Sequence, residues 1–96
     1  MSKTPSRFPK IGRIVHYKLS AIDINAILSH RGKTWKHGTE LLVGDVLPMI
    51  ITKVHGQPPD TFVSGKVFLD GTDDYWAVLV QEGSDLGMYQ WPTISD

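Results

Sequence analysis

Short runs of apolar residues alternate with polar turns along most of the chain, which is the pattern of a small β-rich domain. The runs predict strands over residues 11–19, 46–55 and 88–91. A longer segment, 66–80, carries two apolar runs separated by Asp70-Gly71. Asp-Gly between apolar runs is a strong signal for a tight turn, so this segment predicts a β-hairpin.

The apolar spacing changes after the first predicted strand, where it becomes that of a helix. Ser20 is suited to cap a helix, and Asp23 follows three residues later, as in a capping box. Ile24, Ile27 and Leu28 then give an apolar stripe, and the helix is expected to end at Arg31-Gly32. The predicted fold is α+β: a small, mostly antiparallel β-sheet domain with one short helix inserted after the first strand.

Length and composition fit this fold. We expect a polar N-terminal arm over residues 1–10 and a single β-rich domain over residues 11–96. The chain has 41% hydrophobic and 21% charged residues and no cysteine, which excludes disulfides and thiolate metal sites. No apolar run is long enough to cross a membrane. A soluble protein of the cytoplasm is therefore expected.

The net charge of zero hides an uneven distribution. Eight of the ten Lys and Arg residues lie within positions 1–37, whereas nine of the ten acidic residues lie within positions 38–96. The two halves either neutralise each other in the folded protein or across subunits, or the basic part attracts an anion such as a phosphate. Composition alone favours neutralisation.

The hairpin turn is the densest group of polar side chains. Asp70, Thr72 and Asp73 lie beside Trp76, so they form either one side of a ligand site or a solvated hairpin tip. Nothing in the spacing matches a calcium-binding loop.

The strands of the hairpin are expected to contribute to the core through Phe68, Val78 and Val80. Tyr75 and Trp76 are neighbours on a strand and must point to opposite faces. One of these two rings is therefore expected to lie outside the main core, where it could stack on a base or contact another subunit.

Catalytic and metal sites are not expected. The four histidines show no paired metal-ligand spacing, and we find no nucleophile motif or phosphate-binding glycine loop. We therefore predict neither enzymatic activity nor a cofactor. Basic residues interleaved with aromatic ones leave single-stranded nucleic-acid binding open, although the acidic second half would repel phosphate.

The order of several motifs resembles a group of small proteins encoded by bacteriophages and prophages. The resemblance covers nearly the whole chain and lies in the segments Pro9–Tyr17, Gly44–Val54, Gly65–Trp76 and Tyr89–Pro92. This group is similar to the Thoeris anti-defence sponges, phage proteins that sequester cyclic ADP-ribose signals of bacterial immunity. The resemblance implies a β-rich protein without turnover, in which dimers assemble into hexamers with nucleotide pockets at subunit interfaces.

Candidate ligand residues follow from the chemistry of such a nucleotide, because the pocket of the family is not matched residue by residue. Aromatic rings would stack on adenine, small polar groups would bond ribose hydroxyls, and arginines would neutralise the pyrophosphate. The candidates in these three roles are, in order, Phe62, Trp76, Tyr89 and Trp91; Asp70, Thr72 and Asp73; Arg13 and Arg31.

The predicted function is that of a phage anti-defence protein, acting in the cytoplasm of the bacterial host. It would bind and sequester a cyclic nucleotide, either a cyclic ADP-ribose isomer or a cyclic oligonucleotide, as a homo-oligomer. Two alternatives remain open at this point. They are a structural or accessory phage protein that binds other proteins, and a small module for single-stranded nucleic acid.

Overall fold

The computed structural model describes residues 8–31, 40–57, 61–71 and 73–92. Thr72, one of the predicted ligand residues, and most of the predicted N-terminal arm lie outside these ranges. The elements in chain order are β1 (Ile14–Lys18), α1 (Ala21–Arg31), β2 (Val46–His55), β3 (Phe62–Phe68), β4 (Asp74–Val80) and β5 (Tyr89–Gln90).

The strands form one antiparallel sheet in the order β4-β3-β2-β1-β5, with α1 inserted between β1 and β2. The predicted fold class is therefore confirmed. β1 to β4 follow one another in space as they do in sequence, apart from the helical insertion. β5 departs from this order, because it crosses to the far edge and pairs with β1.

The two ends of the sheet meet at β5. The Tyr89 N–H donates to the carbonyl of Gln81 at 3.0 Å, and the Gly83 N–H donates to the carbonyl of Tyr89 at 2.9 Å. These bonds form a short parallel bridge between β5 and the chain that follows β4. β5 is thus bonded on both sides, to β1 and to the continuation of β4, and the sheet curls around its apolar face.

The core lies on that apolar face, between the sheet and α1. Val15, Met49, Val63 and Val67 come from three adjacent strands and have no exposed surface. The helix adds Ile24 and Ile27, whereas Leu28 of the predicted stripe is half exposed. Burial of an aliphatic side chain stabilises a fold by about 1.5–3 kcal/mol, so this layer supplies most of the favourable energy.

The helix begins as the sequence predicts. The Ser20 hydroxyl accepts the Asp23 N–H at 3.2 Å, and an Asp23 carboxylate oxygen accepts the Ser20 N–H at 2.9 Å. This is the reciprocal pair of a capping box, and it satisfies two backbone donors that the first turn would otherwise leave open. In the described part of the chain, α1 is not long and apolar enough to cross a membrane.

Two residues of the hairpin that are predicted to lie in the core are instead half exposed. Phe68 and Val78 are 46% and 48% exposed, whereas Val80 is buried as predicted. Alternation along a strand does not say which face the helix covers, so it leaves the exposure of Phe68 and Val78 undecided. Val80 returns to the buried face because the β3–β4 register shifts at this point and Leu79 has a φ of 56°. Tyr75 and Trp76 point to opposite faces as expected, with Tyr75 toward the core and Trp76 59% exposed.

Gly65 lies on β3, between β2 and β4. It pairs with Ile51 on one side and Ala77 on the other. A Cβ atom at this position would lie 2.7 Å from both the Ile50 carbonyl oxygen and the Met49 Cγ. Because one of these atoms is backbone, the clash cannot be relieved by a rotamer change alone.

We predict that Gly65→Ala lowers the free energy of unfolding by about 1–3 kcal/mol, the usual cost of overpacking. The control is Lys66→Ala, an exposed change on the same strand, for which less than about 0.5 kcal/mol is expected. Urea unfolding followed by circular dichroism measures both. Equal midpoints for the two variants would contradict the close packing at Gly65.

Candidate functional site

Two open grooves among the described residues have volumes of about 300 and 430 Å³, at the lower end of the range of small-ligand sites. The larger, about 430 Å³, is lined by Phe8, Lys10, Arg13 and Trp91. We call it the cationic groove. It brings together two aromatic rings and two cations, including two of the predicted ligand residues, Arg13 and Trp91.

A tight turn holds the two cations of the cationic groove near each other. The Arg13 N–H donates to the Lys10 carbonyl at 3.1 Å, and Gly12 between them has a φ of 94°. A positive φ at the third position of a turn is readily adopted by glycine. Lys10 and Arg13 are therefore the first and last residues of a four-residue turn.

The turn is fixed to the sheet through β2. The Gly12 N–H donates to the Ile51 carbonyl at 2.8 Å, and the Ile51 N–H donates to the Arg13 carbonyl at 2.9 Å. Ile51 itself is 1% exposed and belongs to the core. The backbone carrying Arg13 is thus held by buried structure, while the Arg13 side chain is exposed.

The aromatic wall of the cationic groove depends on β5. Tyr89 and Gln90 pair with Tyr17 and His16 of β1, so the chain reaches the start of β1 as it passes Trp91. The Tyr89 ring contacts the Trp91 ring edge to face, with centroids 6.1 Å apart and planes at 81°. Tyr89 is 2% exposed, so it supports Trp91 from the core and does not itself face the groove.

The second groove, about 300 Å³, lies between α1 and the start of β4. Its lining includes Ala26 and His30 from the helix, and Asp73, Asp74 and Trp76 from the hairpin. Two further predicted ligand residues, Asp73 and Trp76, are therefore together here, away from the lining of the cationic groove.

Arg31 and Asp73 are bonded to each other. Arg31 Nε lies 2.7 Å from one carboxylate oxygen of Asp73, and Nη2 lies 3.0 Å from the other. The hydrogen bond to Asp73 raises the pKa of Arg31 above its ordinary value. The Arg31 side chain is only 6% exposed. This two-point ion pair fixes the end of α1 to the hairpin, and a ligand would have to displace Asp73 to use the Arg31 fork.

A buried polar cluster lies beneath the helix start and is centred on Asp23, which is 5% exposed. The hydroxyls of Tyr17 and Tyr75 each donate to its carboxylate at 2.7 Å, and the Ser20 hydroxyl donates at 2.9 Å. Burial, and then the bond to Asp23, raise the pKa of Tyr17 above its usual range and that of Tyr75 to about 12. The three hydroxyls all donate to the Asp23 carboxylate, so the cluster has a structural role.

The remaining predicted ligand residues are scattered. Phe62 is half-buried on β3, and Asp70 is exposed at the hairpin turn. Phe8 and Lys10 complete the cationic groove but are not among the ligand residues predicted from sequence. The signal for Lys10 is the spacing Lys10-Ile11-Gly12-Arg13, in which a glycine at the third position indicates a tight turn.

No metal site is evident within the described ranges, where no group of three or more His, Asp or Glu side chains lies close enough to hold an ion. Comparisons with protein-family models, with curated proteins and with solved structures found no match. The function of this protein is therefore inferred from the chemistry of the two grooves.

We predict that Asp73→Asn lowers the free energy of unfolding by about 2–3 kcal/mol, because it leaves a buried guanidinium without its counter-charge. Asp74→Asn is the matched control. Asp74 lies 3.5 Å from Lys66 in a half-exposed pair, so its loss costs less than about 0.5 kcal/mol. Thermal and urea unfolding compare the two variants, and a similar loss in both would rule out a dominant Arg31–Asp73 pair.

A second prediction concerns alkaline pH. The pKa values of Tyr17, Tyr75 and Tyr89 all lie above the ordinary value of 10.0 in the folded protein, and these are the three tyrosines of the chain. The unfolded chain therefore loses protons first, and stability falls as the pH rises above about 10. Tyr75 keeps its proton until about pH 12 unless the protein unfolds.

Tyrosinate absorbance and circular dichroism should be followed together during an alkaline titration. We expect no ionisation step near pH 10 while the protein is folded, and a step that coincides with unfolding at higher pH. Adding urea at pH 10 should restore ordinary tyrosine titration and serves as the control. A tyrosinate step near pH 10 with unchanged circular dichroism would contradict the raised pKa values of the three tyrosines.

Proposed function

We propose that this protein binds and sequesters a small anionic nucleotide without chemical turnover, and that the cationic groove is the binding site. The observation that carries the proposal is the juxtaposition of Lys10 and Arg13, one turn apart, with the rings of Phe8 and Trp91. A nucleotide combines a flat base with phosphate charges, so it requires both kinds of group in one place.

Each side chain has a distinct role in this proposal. Arg13 presents a planar fork that can bond two phosphate oxygens at once, and Lys10 adds a compact positive charge. Trp91, already held by Tyr89, offers a ring for base stacking, and the exposed ring of Phe8 can cover the other side.

The groove chemistry favours binding over hydrolysis. The four described lining residues are Phe, Lys, Arg and Trp, so they offer neither a carboxylate nor an imidazole to act as a general base at neutral pH. A sequestering protein needs only affinity. A dissociation constant between micromolar and nanomolar corresponds to about −8 to −12 kcal/mol, which one stacked base and a few charge-assisted bonds can reach.

The ligand class and biological role follow from the resemblance to the Thoeris anti-defence sponges. On that basis the nucleotide is a cyclic ADP-ribose isomer or a cyclic oligonucleotide, and the protein acts in the cytoplasm of an infected bacterium. The groove is open along one side. This fits a site that a second subunit completes, as the resemblance implies.

A protein-binding role as a structural or accessory phage protein is the second candidate. It is favoured by the exposed apolar side chains on the outer face of the sheet, among them Phe68, Trp76 and Val78. The two functions use different surfaces, so variants in the cationic groove separate them.

Isothermal titration calorimetry with cyclic ADP-ribose isomers and with cyclic di- and trinucleotides tests the proposal. We expect binding of at least one ligand, and a loss of about tenfold or more for Arg13→Ala, as for one charge-assisted bond. Lys53→Ala removes an exposed cation that is absent from the groove lining and is the matched control. Ligand recovered after heating should be intact by chromatography.

Three outcomes would contradict the proposal. One is no binding across the whole panel, and another is binding that Arg13→Ala leaves unchanged. The third is recovery of a hydrolysed ligand, which would indicate an enzyme. Binding of short oligonucleotides in place of cyclic ones, with strong salt dependence, would support the single-stranded nucleic-acid alternative.

A further inference from the structure

One long side of β4 has no strand partner in the described part of the structure. β4 pairs with β3 through Asp74, Tyr75, Trp76 and Ala77, and again at Val80. The backbone bonds that close the sheet begin only after β4, at Gln81. The N–H and C=O groups along the other side of residues 74–78 therefore face outward. We call this segment the β4 edge.

Apart from one bulge at Leu79, the described residues of the β4 edge carry few of the devices that usually protect an edge strand. Natural proteins place lysine, proline or an inward-pointing charge on such strands, because an open edge readily accepts another strand. Asp74, at its first position, is the only charged residue of β4. Trp76 and Val78 follow on the outer face and are 59% and 48% exposed.

A bulge limits the regular part of the edge. The β3–β4 register shifts between Val63 and Gly65, and Leu79 at this point has a φ of 56°. A leucine with positive φ interrupts the ladder and turns the strand. Regular pairing along the edge can therefore reach Val78 but not extend beyond it, so a two-fold contact centred on Ala77 pairs residues 76–78 of each copy.

Open space lies beside the first residues of this edge. The smaller groove, about 300 Å³, separates the start of β4 from α1, and the small residue Ala26 lies on its helical wall. Strands in a sheet lie about 4.8 Å apart, so an added strand needs only a narrow channel of this kind.

We propose that the β4 edge pairs in antiparallel register with the β4 edge of a second copy of this chain. A two-fold axis through Ala77 sets Trp76 of each copy opposite Val78 of the other, on the outer face. Ala77 then lies opposite Ala77 of the second copy, on the inner face. The two five-stranded sheets become one continuous sheet across the dimer.

The sequence of the edge points to a second copy and not to an unrelated strand. An isologous contact requires a surface that is complementary to itself. Trp76 and Val78 are two residues apart on one face, so antiparallel pairing converts them into two identical aromatic–β-branched pairs, a favourable cross-strand combination. The bulge at Leu79 ends the pairing on both sides, which limits assembly at this edge to two chains.

Sedimentation and light scattering of the ligand-free protein over a range of concentrations test this dimer. We expect a concentration-dependent dimer, and Val78→Lys should raise its Kd by about tenfold or more, since it removes the β-branched side chain from both cross-strand pairs and a lysine on an edge strand disfavours strand addition. Ile14→Lys is the matched control. It places the same charge on an exposed strand residue of β1, away from the β4 edge.

The chain has no cysteine, so introduced cysteines report the register directly. Mixing the Trp76→Cys and Val78→Cys variants should give an oxidised heterodimer at several times the yield of either variant alone. Circular dichroism checks that each variant is folded.

A strictly monomeric protein would overturn the proposal, whether or not the edge accepts a strand from another protein. A dimer that Ile14→Lys weakens as much as Val78→Lys would also overturn it, because the contact would then be a sheet face. These measurements use no nucleotide, so failure of the dimer is distinguished from failure of nucleotide binding at the cationic groove, which calorimetry measures.

Discussion

The carboxylate of Asp23 is the interaction on which the arrangement of helix and sheet depends. It accepts bonds from Tyr17 on β1, from Ser20 at the helix start and from Tyr75 on β4. Hydrogen bonds to a charged group contribute about 1.5–3 kcal/mol each when buried, and a carboxylate deprived of them would be costly to bury. One residue therefore sets the position of α1 against two strands that are not neighbours in the sheet, and the apolar contacts of Ile24 and Ile27 form around that position.

The uneven charge distribution of the chain is partly resolved within one molecule. Arg31, from the basic part, pairs with Asp73, from the acidic part, and the pair connects the end of α1 to the hairpin. Lys10 and Arg13 lie at another place, on a turn held by backbone bonds, and their charged ends stay exposed. The same kind of residue thus stabilises the fold at one position and remains available to solvent and ligands at the other. Burial and backbone geometry, and not the type of residue, determine which of these two roles a cation has.

Local signals account for what the sequence predicts correctly. Ser20 and Asp23 are three residues apart, so their capping box is visible in the sequence, and the alternation of Tyr75 and Trp76 follows from strand geometry alone. The cationic groove is different, because Arg13 and Trp91 are brought together only by the pairing of β1 with β5 at opposite ends of the chain. The exposure of Phe68 and Val78 is likewise decided by which face α1 covers. Arg31 and Asp73 were assigned to a ligand from their chemistry, and no local pattern indicates that they bond to each other.

The short length of β5 has a consequence for the cationic groove. Two residues of strand carry Trp91, and they pair with β1 more than 70 residues earlier in the chain, so this contact closes a long loop at an entropic cost. The aromatic wall of the cationic groove therefore depends on two residues of strand, which are held by backbone bonds on both sides and by the buried ring of Tyr89. A molecule bound there would hold the last strand in place, so that occupancy of the groove and closure of the sheet become one linked equilibrium.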